Sequence, residues 1–488
     1  MTEMIWLIIC PLLTAFSLLA IDIYLKKIYK IVIVGSGILT FLLSFNLLRQ
    51  VLIEPVVYSL GDWEVTKGIN LIADPLAGIL VFTISGLILL AILYSASYIK
   101  KKQTKYYILL FLLTAALNCI VLTGDLFNLF VCLEIVSIVS YALVAFNRNI
   151  KSYEASFKYL IIGSLGGFFI LLAIILIYQQ TGTLNLAQLI VKSDLLSSKI
   201  NKSIFPLLLI GFGSKFALVP LHTWLPDAHP AAPAPISALL SGIVIKAYLY
   251  AWLRILLILS SPVELIASNW NIILLYFGVI TLLVGHLLAY QQQNLKRLLA
   301  YSSISQIGYI MIGIGLFNQL GISGSLFHII NHALVKSALF LAAGVFSKRL
   351  AAKSIDSLEG AGYRVPIVGG LFTLSALTII GLPPFNIFIS KWLIATEAIK
   401  AGFIVPAGAI LLGSILALCY YLKVIKVLYT KNSTYQVKSI DWKLKLPIAI
   451  LSISCLILGL KPDLILPKLQ QAVVYLLKTK HYYQILFN

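Results

Sequence analysis

Eight ionisable side chains stand inside stretches that are otherwise apolar, and their types suit proton transfer. Glu134, Lys215, Lys246 and Lys391 lie in four different apolar runs. His222 follows Lys215 by seven residues. His328, His332 and Lys336 recur at four-residue intervals within a fifth run. Residues at i, i+4 and i+8 share one helix face. Lys215 lies about 11 residues into its run, roughly 16 Å along a helix and so near mid-bilayer. An ionisable group at the centre of a membrane helix costs roughly 2.5–3.5 kcal/mol, and such groups are kept where ions or protons pass.

The chemistry follows from the residue types. Burial disfavours a charged amine, and a neighbouring carboxylate restores it. A Glu134–Lys215 pair that can separate would therefore switch the lysine between holding and releasing a proton. Plainer readings compete. A single buried lysine can snorkel to an interface or hold two helices together. His328 and His332 have the spacing of a zinc pair, but no third ligand is evident and HExxH is absent. Asp74-Pro75 reads as a helix N-cap followed by proline at the first helical position. Lys296 and Arg297 fit a topology marker as well as a functional pair.

Such residues need elements that hold them in the membrane. Of 488 residues, 60% are hydrophobic and 11% charged, with mean hydropathy +0.99. That is too little charge for a soluble protein of this size. Apolar runs of about 20 residues recur throughout, each long enough to cross a bilayer. About fourteen spans are expected, at 4–23, 29–53, 70–98, 106–123, 126–146, 156–179, 204–225, 234–260, 270–290, 300–318, 322–347, 365–399, 403–429 and 443–461, with an amphipathic tail at 464–488. The first run lacks a basic n-region and reads as a retained helix, not a signal peptide. The net charge of +20 does not indicate nucleic acid, because the basic residues sit mainly between the runs. The five cysteines, Cys10, Cys119, Cys132, Cys419 and Cys455, fall within apolar runs and read as buried spectator thiols. No phosphate loop, dinucleotide fingerprint or nucleophile elbow appears, and no cofactor is expected. Gly163-Ser164-Leu165-Gly166-Gly167 reads as a helix-packing stripe.

Basic residues follow the odd-numbered spans: Lys26, Lys27 and Lys30; Lys100, Lys101, Lys102 and Lys105; Arg148 and Lys151; Lys296 and Arg297; Lys348, Arg349, Lys353 and Arg364; Lys431 and Lys438. The loop at 181–203, with Lys192, Lys199 and Lys202, is the exception among even loops. Odd loops are thus expected in the cytoplasm and both termini outside. Span seven contains Pro220, and span twelve contains Gly381-Leu382-Pro383-Pro384. Proline removes an amide donor, so both spans are expected to be discontinuous, a pointer to a transport site. They are five apart and run in opposite directions, as two inverted five-helix repeats would place them.

These residues resemble a known family. Lys215-Phe216-Ala217-Leu218-Val219-Pro220-Leu221-His222-Thr223-Trp224-Leu225-Pro226-Asp227-Ala228-His229, continuing through Ala232–Gly242 to Lys246, is similar to the signature of antiporter-like proton-pumping subunits. That family includes the large membrane subunits of respiratory complex I, Mrp-type sodium/proton antiporters and membrane-bound hydrogenases. Asp125–Phe130 leading to Glu134, Lys296–Tyr309, His328–Lys336 and Gly381–Lys391 resemble it too. The resemblance implies an all-α membrane protein of fourteen helices, with inverted repeats at spans four to eight and nine to thirteen. It implies that Glu134 and Lys215 form the switch pair, that Lys246 and the histidines carry protons centrally, and that Lys391 is the terminal site. Ile387 departs from the family's glycine after the double proline. The longest members add a lateral helix and further spans, so this chain resembles the D-type antiporter protein or its complex I and hydrogenase counterparts.

The expected organisation is 1–105 for N-terminal helices, 106–260 and 261–430 for the repeats, and 431–488 for the last helix and tail. The expected function is proton translocation in a multisubunit cation/proton antiporter or hydrogenase-type complex of a prokaryotic cell membrane, with sodium as a second candidate ion. A subunit of an NADH- or ferredoxin-linked quinone oxidoreductase is the alternative. The expected partners are other membrane subunits and the lipid bilayer, not nucleic acid, and no intrinsic redox chemistry is expected. A solitary organic-solute transporter would need a substrate cavity, and no site beyond proton carriers is evident; a purely structural scaffold would not need these mid-depth charges. The loop charges carry a test of orientation. A single cysteine placed at Lys101 or Lys353 should react with an impermeant maleimide only from the cytoplasmic side; labelling from outside would reverse the topology.

Overall fold

The computed structural model describes residues 3–63, 68–192, 195, 203–430 and 439–477. The expectations for Lys199, Lys202, Lys431, Lys438 and the end of the tail lie outside these residues. Among the described residues, twelve helices are long and apolar enough to cross a membrane. They are Glu3–Tyr24, Tyr29–Val51, Pro75–Tyr98, Gln103–Leu122, Leu126–Asn147, Ile150–Thr181, Ala234–Leu259, Trp270–Tyr290, Leu295–Gly315, Gln319–Arg349, Ile404–Leu428 and Trp442–Leu460. Between the sixth and seventh lie Phe205–Lys215 and Leu225–Ala231; between the tenth and eleventh lie Pro366–Ile380 and Asn386–Lys400. Taken as the interrupted spans seven and twelve expected from the sequence, these pairs bring the count to fourteen, and that numbering is kept below; span seven then ends at Ala231, beyond the expected 225.

Three boundaries differ for local reasons. Span three starts at Pro75, not at 70, because the Asp74 carboxylate accepts from the Ala77 amide at 2.7 Å and caps the helix there. Residues 70–73 instead pair with Val56–Ser59 as an antiparallel hairpin. Span six starts at Ile150, where Asn149 and Ser152 form a reciprocal capping box. Span ten starts at Leu295, capped by Asn294, which puts Lys296 and Arg297 in its first turn, not in a loop. The cysteine reading is corrected as well. The tight turn at Thr123–Asp125 lays spans four and five side by side, and Cys119 and Cys132 form a disulfide with Cα atoms 6.2 Å apart. Cys10, Cys419 and Cys455 are free thiols.

Burial separates the spans into an inner and an outer set. Spans eight, ten and eleven are 94–100% buried over their most apolar windows, whereas spans one, two, six and fourteen are 33–39% buried. The outer helices present apolar faces, as a lipid solvent demands; Phe157, Ile161, Leu165, Phe168, Leu172 and Ile175 make such a face on span six. Of the inner helices, span eight carries Lys246 and span eleven carries His328, His332 and Lys336; Glu134 lies on span five, Lys215 and His222 on span seven and Lys391 on span twelve.

The break in span twelve depends on close backbone approach. Gly381 has φ +92°, a conformation available to glycine at no steric cost. Gly459 of span fourteen lies against the break, where a Cβ would sit 2.1 Å from the Pro384 carbonyl oxygen and 2.7 Å from the Asn386 nitrogen. Backbone cannot yield as a flexible side chain can, so Gly459→Ala should destabilise the protein by about 1–3 kcal/mol, the usual range for overpacking. Gly408→Ala, where a Cβ meets nothing within 4 Å, should be neutral. Thermal unfolding of the two variants in detergent checks the contrast.

Candidate proton-transfer site

Span seven ends its first half at Lys215. The chain then leaves the helix: Ala217 has φ +60°, the Leu218 amide returns to the Gly213 carbonyl at 2.8 Å, and the Val219 amide is 3.3 Å from Thr281 Oγ1. Trp224 locks the second half against the first by donating from Nε1 to the Ser214 carbonyl at 2.8 Å. Its ring stacks on Tyr159 of span six, with centroids 3.8 Å apart. The wholly buried Lys215 ammonium is thereby aimed at span five. It lies 2.8 Å from Glu134 Oε1 and 2.8 Å from Ser137 Oγ. The glutamate side chain is 27% exposed, so the pair has one dry member and one that reaches the protein surface. Ser137 also lies 3.1 Å from the Tyr248 hydroxyl of span eight.

The glycine stripe of span six has a sharper role than general packing. A Cβ at Gly166 would lie 1.8 Å from Ser214 Oγ, and one at Gly167 would lie 2.5 Å from Glu134 Oε1. The missing side chains are the space in which the carboxylate and the end of the half-helix meet.

Lys246 lies in span eight just after a π-helical turn at Leu240–Val244, a distortion common at functional sites. Its ammonium folds back to donate to the Ser241 carbonyl. Ser241 Oγ is 2.8 Å from Ser303 Oγ of span ten. On span eleven, Lys336 donates to the Leu299 carbonyl at 2.9 Å and to the Tyr421 hydroxyl at 3.2 Å. His328 places Nε2 3.0 Å from Gln306 Oε1 and Nδ1 2.9 Å from Ser390 Oγ. His332 lies between them. Its ring centroid is 6.2 Å from that of His328, and neither of its nitrogens has a hydrogen-bond partner among the described residues. The face predicted from the i, i+4, i+8 spacing is therefore real, and all three side chains are buried.

Lys391 follows Ser390 in the second half of span twelve. Its ammonium turns back onto the first half, 2.9 Å from the Ile380 carbonyl, 3.4 Å from that of Ile379 and 3.1 Å from Ser414 Oγ. Those carbonyls end a helix, where partial negative charge favours a cation. The Tyr309 ring lies 4.5 Å from the ammonium, within cation–π range. Asn331 of span eleven pins the break by donating to the Asn386 carbonyl at 3.1 Å and accepting from the Asn386 amide group at 2.9 Å. Ile387, the departure from the family pattern, is fully buried in the first turn of the second half.

Of the eight residues, Glu134 and Lys215 are in direct contact. Lys246, His328, His332, Lys336 and Lys391 follow on spans eight, eleven and twelve, and all but His332 contact a backbone carbonyl, serine, glutamine or tyrosine. His222 stands apart in the break of span seven, with its ring 6.4 Å from that of Tyr301. The sequence reading passed over several buried ionisable residues, among them His286 and Arg254. His286 of span nine is enclosed and lies 3.1 Å from both the Tyr309 and Tyr420 hydroxyls. Arg254 of span eight donates to the Thr123 carbonyl at 3.1 Å. Charge inside an apolar run is the signal that marks Lys246, and it marks these two as well. The Asp74 cap stands as read. Lys296 reaches into the protein, 2.8 Å from the Ala232 carbonyl, while Arg297 pairs with Asp227 at 3.4 Å. Among the described residues, no group of three His, Cys, Asp or Glu side chains is placed to hold a metal.

Comparison with known proteins agrees with this architecture. Residues 123–417 match the transmembrane family described as NADH:quinone oxidoreductase/Mrp antiporter. The chain is 36% identical to the N subunit of the NADH-quinone oxidoreductase of Desulforudis audaxviator, over 78% of this chain and 76% of that protein. It is 32% identical to the D subunit of the Na(+)/H(+) antiporter of Alkalihalophilus pseudofirmus, over 93% of each. A protein chain in the structure of the membrane-bound sulfane sulfur reductase, an archaeal respiratory membrane complex, superposes over the full length of both chains with a TM-score of 0.93 at 30% identity. The matched region runs from the turn before span five into span thirteen and contains all eight residues, and the chain is a multi-pass membrane protein of the NADH:quinone oxidoreductase/Mrp antiporter family.

Proposed function

We propose that this chain is a proton-translocating, antiporter-like subunit of a multisubunit membrane complex, and that protons pass along Glu134, Lys215, Lys246, Lys336, His332, His328 and Lys391, with His222 at the break of span seven. The observation that carries the reading is the Glu134–Lys215 ion pair at a helix break. When it forms, the carboxylate holds the lysine charged. When it opens, a dry amine releases its proton toward span eight. The breaks frame the row, with Lys215 ending one half-helix and Lys391 capping another. The two repeats, 106–260 and 261–430, would each contribute one break.

Membership of the family and its antiporter proteins supports protons as the ion, with sodium as the coupled ion of a parent antiporter complex. The likeness to the N subunit of a quinone oxidoreductase and to a respiratory complex supports the alternative, in which partner subunits power the same row by redox chemistry. The loop charges support both termini outside, and the bacterial and archaeal relatives support a prokaryotic cell membrane. Mass spectrometry of the native complex separates the two parents by whether redox subunits co-purify.

Two substitutions test the proton path. Gly167→Ala meets only the flexible end of Glu134, so the complex should assemble normally while the carboxylate is pushed off Lys215. Proton transport in vesicles should then fall toward that of Glu134→Ala; wild-type transport would show that the pair does not matter. At the other end, Lys391→Arg keeps the charge but cannot deprotonate at usable pH. It should be as defective as Lys391→Ala at equal complex abundance. Full activity in Arg with loss in Ala would make Lys391 a fixed cation and exclude proton release there.

A further inference from the structure

His286 is a buried imidazole that the row above does not use, and both of its ring nitrogens are engaged. Nδ1 lies 3.1 Å from the Tyr420 hydroxyl of span thirteen, and Nε2 lies 3.1 Å from the Tyr309 hydroxyl of span ten. Each contact leads on toward a lysine. Near Tyr420, though not hydrogen-bonded to it, is Ser302, whose hydroxyl is 2.9 Å from that of Tyr421, itself 3.2 Å from Lys336 Nζ. Near Tyr309, likewise without a hydrogen bond, is Ser414, whose hydroxyl is 3.1 Å from Lys391 Nζ. The space is kept open by Gly413, where a Cβ would lie 2.5 Å from the Tyr309 hydroxyl and 3.1 Å from His286 Cδ2.

We propose that His286 is the relay at the centre of a second proton route, Lys336–Tyr421–Ser302–Tyr420–His286–Tyr309–Ser414–Lys391, parallel to the one through His332 and His328. This inference rests on the function proposed above and adds a branch to it. The histidine route has a gap at His332, whose nitrogens have no partner among the described residues. On the hydroxyl route five of the seven steps are contacts of 3.2 Å or less, and the Ser302–Tyr420 and Tyr309–Ser414 steps need a rotation of the tyrosine hydroxyls to close.

The transfer balances. The Lys336 ammonium gives a proton to the Tyr421 oxygen and becomes an amine. Each hydroxyl along the route accepts one proton and passes on its own. The imidazole accepts at Nδ1 and releases from Nε2, ending as the other tautomer. Ser414 delivers a proton to the Lys391 amine, which becomes an ammonium. One proton has moved and no hydroxyl has changed its count; the imidazole must return to its first tautomer by proton exchange, and the hydroxyls must reorient, before the next transfer. An imidazole can do this because its two nitrogens exchange the donor and acceptor roles. A glutamine in its place can hydrogen-bond to a hydroxyl but cannot pass the proton through.

The groups facing His286 are Tyr309, Tyr420, Lys336 and Lys391. A purely structural His286 would tie span nine to spans ten and thirteen, and glutamine would preserve most of that. The test is proton transport by the whole complex in inverted vesicles, for His286→Gln, Tyr309→Phe and Lys391→Ala, each at matched abundance and with its solvent deuterium isotope effect. Because the row through His332 and His328 stays open, His286→Gln and Tyr309→Phe should each cause a partial loss, about two-fold if the two routes share the flux equally, with an altered isotope effect. Wild-type rate and isotope effect in His286→Gln, with Lys391→Ala inactive, overturn the relay and leave the main row standing. Wild-type transport in Lys391→Ala sinks the underlying reading itself. Should His286→Gln fail to assemble, Tyr309→Phe decides alone, because it removes only a hydroxyl: wild-type transport overturns the relay and partly lost transport supports it.

Discussion

A charged amine in a dry membrane interior must be met by polar atoms, and the way this chain meets that demand organises everything else. Lys215 is the one amine of the row that faces a carboxylate among the described residues. Lys246, Lys336 and Lys391 rest on the carbonyls of Ser241, Leu299 and Ile380. A carboxylate favours the ammonium strongly. A carbonyl oxygen accepts a hydrogen bond from the ammonium and from the neutral amine alike. The protein therefore solvates three lysines without fixing their charge. Regular helix has few carbonyls to spare, since each is committed to its own ladder. The π-helical turn of span eight and the break of span twelve place backbone oxygen near Lys246 and Lys391, and the helix-breaking residues of span twelve follow from that need.

Close packing is the second condition, because a hydroxyl relay tolerates little slack. Spans nine and ten approach until a Cβ on Gly308 would lie 2.4 Å from the Leu282 nitrogen and one on Gly285 would lie 2.5 Å from that of Ser305. Small residues allow such approach where no hydrophobic force drives helices together. At this contact and at Gly166–Gly167, glycine sets a distance between polar side chains on neighbouring helices.

Much of this was legible in the sequence, and the parts that were not share a cause. Run length and loop charge locate the spans, and proline locates the breaks. An ionisable residue in an apolar run locates the row, and the four-residue spacing predicts the shared face of His328, His332 and Lys336. What sequence spacing cannot express is which residues of distant helices meet. Ser137, Gln306, Ser390 and Ser414 are ordinary membrane-helix residues until spans five, ten, twelve and thirteen bring them against a lysine or histidine. Tyr309 and Tyr420 look like core aromatics until His286 falls between them. The Cys119–Cys132 contact depends likewise on a turn that aligns two helices, and the span-three boundary moved because a cap outweighed hydropathy.

The π-helical turn of span eight can also be viewed as a matter of register. Such a turn holds one residue more than the surrounding helix, so everything after it is rotated by about 100° relative to a regular helix. Lys246, Tyr248, Tyr250 and Arg254 all lie beyond it. Lys246, Tyr248 and Arg254 face, respectively, the Ser241 carbonyl, Ser137 of span five and the carbonyl of Thr123. Excising a single residue from 240–244 would leave the composition of the helix almost unchanged and swing all four side chains off their partners together. Span eight thus behaves as a rod indexed at one point, whose far half owes its azimuth to a one-residue surplus upstream.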